Sequence, residues 1–241
     1  PAKEYCGRVY LRDVGIENYG ICAETAFTYE KEEAKDLLPQ RKTSGHKGTF
    51  GKVLLHAGSR EMSGAALLCA RAVLCSGAGM LKVLTEETNH TLLRTVLPEA
   101  MIATDPVKDL EWADVLVAGP GIGTSEEAKE TLTGLLRASH LPTVLDADAL
   151  NLLAEDQELM ELVREKASKQ SVILTPHPGE FLRLSGLTMT DYEQEREKAI
   201  RTFQEQSHCI LVSKDACTVV TDGAALYLNS TGNDGMATAG S

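Results

Sequence analysis

The chain has 241 residues, of which 43% are hydrophobic, and its formal net charge at pH 7 is −11. This length and apolar content suffice for one large domain or two small ones with a sizeable core. The negative charge argues against a general nucleic-acid binder or a protein of anionic membrane surfaces. No apolar run approaches the roughly 20 residues that span a bilayer, and the opening PAKEYCGRVY lacks a signal-peptide pattern. We therefore expect a cytoplasmic protein without a nucleic-acid or membrane partner.

The six cysteines show neither a CxxC pair nor the Cys/His spacing of a metal site. Four of them lie in apolar segments: Cys69, Cys75, Cys209 and Cys217. We interpret these four as reduced core thiols of a cytosolic protein.

The first forty residues differ in character from the rest. GRVYLRDVGI predicts one strand, ICAETAFTY a second extended piece, and EKEEAKDLLPQR a charged connector or short helix that ends at Pro39. This stretch is too short to bury a core of its own. We expect residues 1–40 to be either the remnant of a preceding domain or a simple extension, and residues 41–241 to form the main domain.

From residue 42 onward, short apolar runs alternate with segments of helical periodicity. The predicted strands include KVLLHA, MLKVLT, DVLVAGPG, PTVL and SVIL. The predicted helices cover residues 63–78, 86–97, 125–139, 146–167 and 190–207. This alternation predicts an α/β fold with a largely parallel sheet, and the closing residues 209–229 predict antiparallel strands at one edge.

Ligands of such sheets bind beyond the carboxyl ends of the strands, so the strand exits are the candidate sites. After the first strand, Gly58 and Ser59 precede a helix that opens with Gly-Ala-Ala at residues 64–66. This opening allows either a ligand or ordinary helix–sheet packing close to the backbone. The exit AGPGIGT, with Gly119, Gly121 and Gly123, is an imperfect GxGxxG pattern and alone is weak evidence for a nucleotide site.

The next three exits carry titratable side chains. Asp146 and Asp148 of LDADALN are candidates for contact with a metal or ribose hydroxyls, and Asp148 alternatively caps the following helix. His177 of TPHPGEF is held between two prolines, which suits either a ligand contact or a structural turn. Lys214 of SKDACTV either reaches a phosphate or is a surface hairpin lysine.

The glycine-rich end, NSTGNDGMATAGS, has the composition of a phosphate-binding loop that leads into a helix. Successive free N–H groups and a helix N-terminus both favour an anion. The alternative is a flexible tail.

Taken in order, several of these segments resemble the NAD(P)H-hydrate dehydratase family. They are residues 47–59, GAA at 64–66, AGPGIGT, LDADALN, TPHPGEF, KDACTVV and the terminal glycine-rich segment. The family is a branch of the ribokinase-like fold, so the resemblance implies a three-layer sandwich: a mostly parallel central sheet with helices on both faces. Residues 1–40 resemble the end of the epimerase domain that precedes the dehydratase in many bacterial members.

The resemblance also implies an activity. Family members use ADP, or ATP in eukaryotes, to phosphorylate the ring hydroxyl of hydrated NADH or NADPH, after which phosphate leaves and the cofactor is restored. It implies Mg²⁺ as a cofactor and a homo-oligomer, with a tetramer as one possibility.

Site residues follow from the matching motifs. The residues implied to contact the hydrate are Ala65, Gly123 and His177. Those implied to contact the nucleotide are Lys214, Asp215, Ala216, Cys217, Thr218, Gly240 and Ser241. The implied phosphate loop contains Thr231, Gly232, Asn233 and Gly235. Glu180 stands where related folds place a residue that holds Mg²⁺ through water.

One departure from the family concerns the catalytic base. In the family, Ala-Gly-Ser is followed at once by Gly-Asp, whose Asp takes the hydroxyl proton, whereas the sequence stops at Ser241. We therefore expect no catalytic residue within residues 1–241 and very low turnover from them, since losing a general base costs about 10²- to 10⁴-fold in rate. Two alternatives stay open: a small-molecule kinase of the same fold, and a non-catalytic nucleotide-binding module.

Overall fold

The computed structural model describes residues 26–29, 31–41, 43–229, 231, 232 and 235. The strand predicted for GRVYLRDVGI and most of the glycine-rich end lie outside the described residues. Within the described part of the chain, no helix is both long and apolar enough to cross a membrane.

One nine-stranded sheet runs through the molecule in the order β3-β2-β1-β4-β5-β6-β7-β8-β9. The strands are β1 (Lys52–His56), β2 (Met80–Leu84), β3 (Met101–Ile102), β4 (Val115–Ala118), β5 (Thr143–Leu145), β6 (Val172–Leu174), β7 (Ile210–Ser213), β8 (Thr218–Thr221) and β9 (Leu226–Asn229). Neighbouring strands from β3 to β7 pair in parallel. β8 pairs antiparallel with both β7 and β9, which confirms the predicted antiparallel edge.

The described α-helices precede β1 or connect the strands. They are α1 (Lys31–Asp36), α2 (Ser63–Cys75), α3 (His90–Val96), α4 (Pro106–Trp112), α5 (Glu126–Ala138), α6 (Asp148–Glu155), α7 (Gln157–Ala167), α8 (Pro178–Ser185), α9 (Met189–Gln194) and α10 (Arg196–Ser207).

The apolar parallel strands place core on both faces of the sheet. Leu54 and Leu55 are adjacent in β1 and fully buried, yet they belong to separate hydrophobic clusters. Successive strand residues point to opposite faces, and strands buried on both sides are continuously apolar. The fold is therefore a layered α/β sandwich.

The predicted helix at 146–167 is wrong in one respect, because two helices occupy it. Asp156 has extended backbone, and its side chain accepts a hydrogen bond from the backbone N–H of Leu159 at 3.0 Å, which starts α7. The predicted helix at 190–207 is likewise divided at Glu195. Side-chain capping by Asp156 thus begins a new helix without glycine or proline, whereas no side chain caps the helix that starts after Glu195.

The segment before α1 adds to the sheet edge. The Phe27 N–H donates to Leu226 O at 2.9 Å, and the Leu228 N–H donates to Phe27 O at 2.8 Å. The rings of Phe27, Tyr29 and Tyr227 pack with centroids 5.2–5.6 Å apart. Part of the second predicted extended piece therefore covers the edge of β9, which limits unwanted strand pairing there.

The interpretation of the cysteines as core thiols holds for Cys209 and is wrong for Cys75, which is exposed near the end of α2. Burial raises the pKa of Cys209 to about 12. We expect iodoacetamide to label Cys75 much faster than Cys209 in the folded protein, since the thiolate is the nucleophile and must be accessible. Mass spectrometry of the labelled peptides measures both rates, and Cys75→Ser is the control. Equal labelling of both thiols under native conditions would contradict this.

Candidate functional site

The sheet order reverses between β1 and β4, and their carboxyl ends form the centre of the candidate site. The Gly119 N–H donates to His56 O at 3.1 Å, and the Gly58 N–H donates to Pro120 O at 2.8 Å. The two exit loops are thus joined through their backbones. Such a reversal leaves a crevice beyond the strand ends, where ligands of open α/β sheets bind.

Glycines at this reversal allow very close approach. A Cβ on Gly119 would lie 1.8 Å from the backbone oxygen of Asp146, and Gly119 has φ +129°. A Cβ on Gly121, φ +69°, would lie 2.7 Å from the Cβ of Ala65. The glycine loop therefore packs directly on the opening of α2, and it brings together two segments that the sequence places 56 residues apart (121 − 65).

At the exit of β5, Asp146 and Asp148 make different contacts. Asp146 Oδ1 lies 2.7 Å from Lys214 Nζ in an ion pair. Asp148 Oδ2 accepts a hydrogen bond from the Gly123 N–H at 2.9 Å. The hypothesis that Asp148 caps the helix is wrong, because Ala147 is the N-cap of α6 and no side chain caps it.

At the exit of β6, His177 and Glu180 form a reciprocal cap at the start of α8. His177 Nδ1 accepts from the Gly179 N–H at 3.0 Å, and Glu180 Oε2 accepts from the His177 N–H at 2.8 Å. His177 Nε2 lies 3.2 Å from Glu180 Oε1. The Glu180 carboxylate is buried, whereas the His177 side chain is 51% exposed. The imidazole is thus fixed by its neighbours and still faces outward, as a ligand contact requires.

The exit of β7 leads into a tight turn at residues 214–218. The Lys214 N–H donates to Pro176 O at 2.8 Å, which ties this exit to that of β6. The Asp215 N–H donates to Thr218 Oγ1 at 3.4 Å, and the Ala216 N–H donates to Asp215 Oδ1 at 2.7 Å. The predicted nucleotide residues Lys214, Asp215, Ala216, Cys217 and Thr218 therefore form one hairpin turn.

The beginning of the predicted phosphate loop lies beside this turn. Asn229, the last residue of β9, pairs with Thr218 at the start of β8. Thr231 donates to Asn229 Oδ1 through its N–H at 3.1 Å and its Oγ1 at 2.6 Å. Thr231, Gly232 and Gly235 are exposed. Asn233, Gly240 and Ser241 lie outside the described residues.

The sequence analysis did not identify Arg196, which contacts Asp215 of the hairpin turn. Its Nε donates to Tyr192 Oη at 2.9 Å, and its Nη1 lies 3.4 Å from Asp215 Oδ2. Tyr192 Oη and Ser213 Oγ are 3.1 Å apart. A single arginine at the start of α10 gives no sequence signal for this role, because its partners lie on other elements.

His56 is a second residue without a sequence signal. It is buried at the end of β1, and burial lowers its pKa. Its Nδ1 lies 3.3 Å from Leu84 O, and among the described residues its Nε2 has no partner. It lines a small cavity together with Gly58, Glu86, Ile122, Ser125, Glu127, Ala128 and Thr131.

The donor set suits a metal that arrives with phosphate. Among the described residues, no three His, Cys, Asp or Glu side chains lie close enough to hold a metal ion. Mg²⁺ keeps several waters and is commonly held by one or two carboxylates plus substrate phosphates. A single buried carboxylate such as Glu180, acting through water, is compatible with that mode and with no all-protein metal cage.

Comparison with known proteins supports the family resemblance of the sequence motifs. A family model described as NAD(P)H-hydrate dehydratase matches residues 53–241. The ADP-dependent (S)-NAD(P)H-hydrate dehydratase of Neisseria meningitidis is 39% identical over 85% of this chain and 70% of its own length. The bifunctional NAD(P)H-hydrate repair enzyme of Coxiella burnetii is 37% identical over 99% of this chain. The chain spans 49% of that bifunctional relative.

A solved structure shows the same fold. The ADP/ATP-dependent NAD(P)H-hydrate dehydratase of Bacillus subtilis, co-crystallised with ATP and Mg²⁺, is 31% identical and superposes with a TM-score of 0.75. The match covers 90% of this chain and 77% of that one. A ribokinase-like superfamily protein of Enterococcus faecalis gives a TM-score of 0.76 at 28% identity, with 88% of this chain and 74% of that one covered. The predicted ribokinase-like fold is confirmed.

Proposed function

The chain belongs to the NAD(P)H-hydrate dehydratase family, and on that premise we propose that the protein repairs hydrated NADH and NADPH with ADP as the phosphoryl donor. The terminal phosphoryl group of ADP passes to the ring hydroxyl, and AMP is released. Phosphate then leaves the ring together with a proton, so the dihydronicotinamide double bond is restored. The protein is proposed to work in the cytoplasm as a homo-oligomer, with a tetramer as the first candidate.

One observation supports this proposal most. Gly123, His177 and Lys214 come from three distant segments. They follow the carboxyl ends of β4, β6 and β7, which lie on the same side of the sheet. The resemblance assigns the first two to the hydrate and the third to the nucleotide. Phosphoryl transfer needs these two ligands side by side, since its rate enhancement comes mainly from positioning and electrostatic stabilisation.

The proposed roles follow the site's geometry. Ala65, Gly123 and His177 contact the hydrate, and Gly179 and Glu180 hold the exposed imidazole of His177 in place for this contact. Residues 214–218 contact the nucleotide, with Lys214 neutralising phosphate charge. Thr231, Gly232, Asn233, Gly235, Gly240 and Ser241 supply backbone N–H groups to the phosphates. When bound, Mg²⁺ would neutralise further phosphate charge, with Glu180 as its candidate partner through water.

For the general base, the resemblance implies an aspartate directly after Ala-Gly-Ser, and we propose none of the described residues in its place. The described residues bind, orient and neutralise charge.

The test is the recovery of NADH absorbance from hydrated NADH with ADP and Mg²⁺, and then with ATP. It compares the wild-type protein with the Lys214→Met variant. We expect recovery with the wild-type protein and a large loss in the variant. A stable phosphorylated product of another small molecule would favour the kinase alternative. Nucleotide binding without any turnover by the wild-type protein would favour the binding module.

A further inference from the structure

The turn after β5 contacts both halves of the proposed site. We propose that its two carboxylates are separate positioning groups: Asp146 orients Lys214 toward the nucleotide, and Asp148 fixes the Gly123 loop for the hydrate. We call Asp146, Ala147 and Asp148 the Asp-Ala-Asp turn. This inference rests on the proposed function and assigns roles to residues that the proposal leaves unused.

The nucleotide half depends on a charge pair. Asp146 Oδ1 accepts from Lys214 Nζ at 2.7 Å, and the two side chains are 32% and 42% exposed. An ammonium group has three N–H donors, so one bond to Asp146 leaves two donors for phosphate oxygens. Lysine loses side-chain entropy when it is held in one geometry. A pre-formed pair reduces that loss at the moment of binding.

The hydrate half depends on a backbone contact. Gly123 has φ +78°, and its N–H donates to Asp148 Oδ2 at 2.9 Å. The other oxygen, Asp148 Oδ1, accepts from Asn151 Nδ2 at 3.3 Å, and Asn151 Oδ1 accepts from Arg183 Nε at 3.0 Å. The carboxylate is thereby held from two sides, and it holds in turn the loop that the resemblance assigns to the hydrate.

The backbone of the turn explains how neighbouring carboxylates serve different strands. Ala147 has φ +50° and ψ −118°, a conformation unfavourable for a residue with a Cβ. The Asp146 N–H donates to Ala118 O at 3.1 Å, and the Asp146 carbonyl packs where Gly119 lacks a side chain. Anchored in this way to β4, the turn sends Asp146 toward the exit of β7 and Asp148 toward the loop after β4. A strained turn that is held on several sides is typical of functional sites.

The experiment uses single substitutions in the full-length enzyme. Asp146→Asn removes the charge that orients Lys214, so we expect the Kd for Mg·ADP to rise about 10- to 100-fold while the KM for the hydrate stays within about twofold. Asp148→Ala removes the acceptor for the Gly123 N–H. For this variant we expect the KM for the hydrate to rise about 10- to 100-fold while the Kd for Mg·ADP stays within about twofold. Asp148→Asn keeps an oxygen acceptor and should recover part of the hydrate affinity, and Asp146→Glu should recover part of the nucleotide affinity.

Asp156→Asn is the matched control. Asp156 caps α7 and lies 3.4 Å from Lys129, outside the proposed site. Asparagine also caps helices, so this variant should change stability little and alter the affinity for neither ligand selectively. Nucleotide Kd comes from calorimetry, hydrate KM from initial rates at saturating nucleotide, and stability from thermal unfolding.

The outcomes separate the two claims. Suppose that the wild-type enzyme repairs the hydrate, but the Asp146 and Asp148 variants change the nucleotide Kd and the hydrate KM equally, or change neither. That result overturns the positioning roles and leaves the proposed function standing. Tighter ADP binding by Asp146→Asn also overturns them, because the pair would then compete with phosphate. Wild-type full-length enzyme that repairs no hydrate overturns the proposed function first. Opposite selectivity of the two variants, with rescue by the conservative substitutions, supports the inference.

Discussion

Replacing Gly119 with alanine is expected to destabilise the fold by about 3 kcal/mol or more. The added Cβ would lie 1.8 Å from the Asp146 backbone oxygen and 2.8 Å from the Ala149 Cβ. These atoms belong to the start of α6 and the turn before it, so neither can move as a flexible side chain would. The positive φ of +129° adds strain for any residue with a Cβ. Urea denaturation followed by circular dichroism measures the loss.

Gly134→Ala is the matched control for this prediction. Gly134 lies inside α5, and a Cβ there would meet nothing within 4 Å. Alanine in an unobstructed helix interior stabilises by about 0.5–1 kcal/mol relative to glycine. If both variants lost similar stability, close approach at Gly119 would not be the cause.

Replacing Lys166 with methionine is expected to remove most of a stability gain that the wild-type protein shows between about pH 8 and pH 10.5. The Lys166 side chain is buried, its Nζ donates to Ser139 O at 2.6 Å, and no ion pair joins it to a carboxylate within the described residues. Burial disfavours the charged form and lowers the pKa of Lys166 from 10.5 to about 8. The folded state therefore loses this proton at lower pH than the unfolded state does.

The sign follows from proton linkage. Between the two pKa values the unfolded chain binds more protons, so the free energy of unfolding rises with pH. The difference between the ordinary pKa of 10.5 and the pKa of about 8 in the folded protein corresponds to about 3 kcal/mol across this window. Below about pH 8 the variant should approach or exceed the wild-type stability, although Ser139 O loses its donor. Urea denaturation of both proteins at several pH values gives the difference between their free energies of unfolding. The contributions of titrating groups that both proteins share cancel in this difference. A difference that does not vary with pH would refute the assignment to Lys166.

The sheet was predictable because its central strands are buried on both faces and are therefore continuously apolar. KVLLH and VLVA could be identified as strands for that reason, and both pair in parallel at the centre. β3 was missed because it has only two residues. α4 was missed although Asp105 caps it and Pro106 opens it, because it spans only seven residues and offers little periodicity to recognise.

The strand exits were predictable as the site, but the pairing of their side chains was not. Asp146 and Lys214 were both candidates, yet no spacing rule joins residues 68 positions apart. Asp148 is of a residue type that often caps helices, but its Oδ2 accepts a hydrogen bond from the N–H of Gly123, 25 residues earlier, instead. Such contacts depend on sheet order, which neighbouring residues do not encode.

The two contacts of the Asp-Ala-Asp turn span different distances along the sequence, which has a consequence for folding during synthesis on the ribosome. Asp148 contacts Gly123, which is synthesised 25 residues earlier, whereas Asp146 contacts Lys214, which is synthesised 68 residues later. At about 5–20 residues per second, the synthesis of this later stretch takes roughly 3 to 14 seconds. A nascent chain can therefore assemble the glycine-loop side of the crevice while Asp146 is still without its lysine.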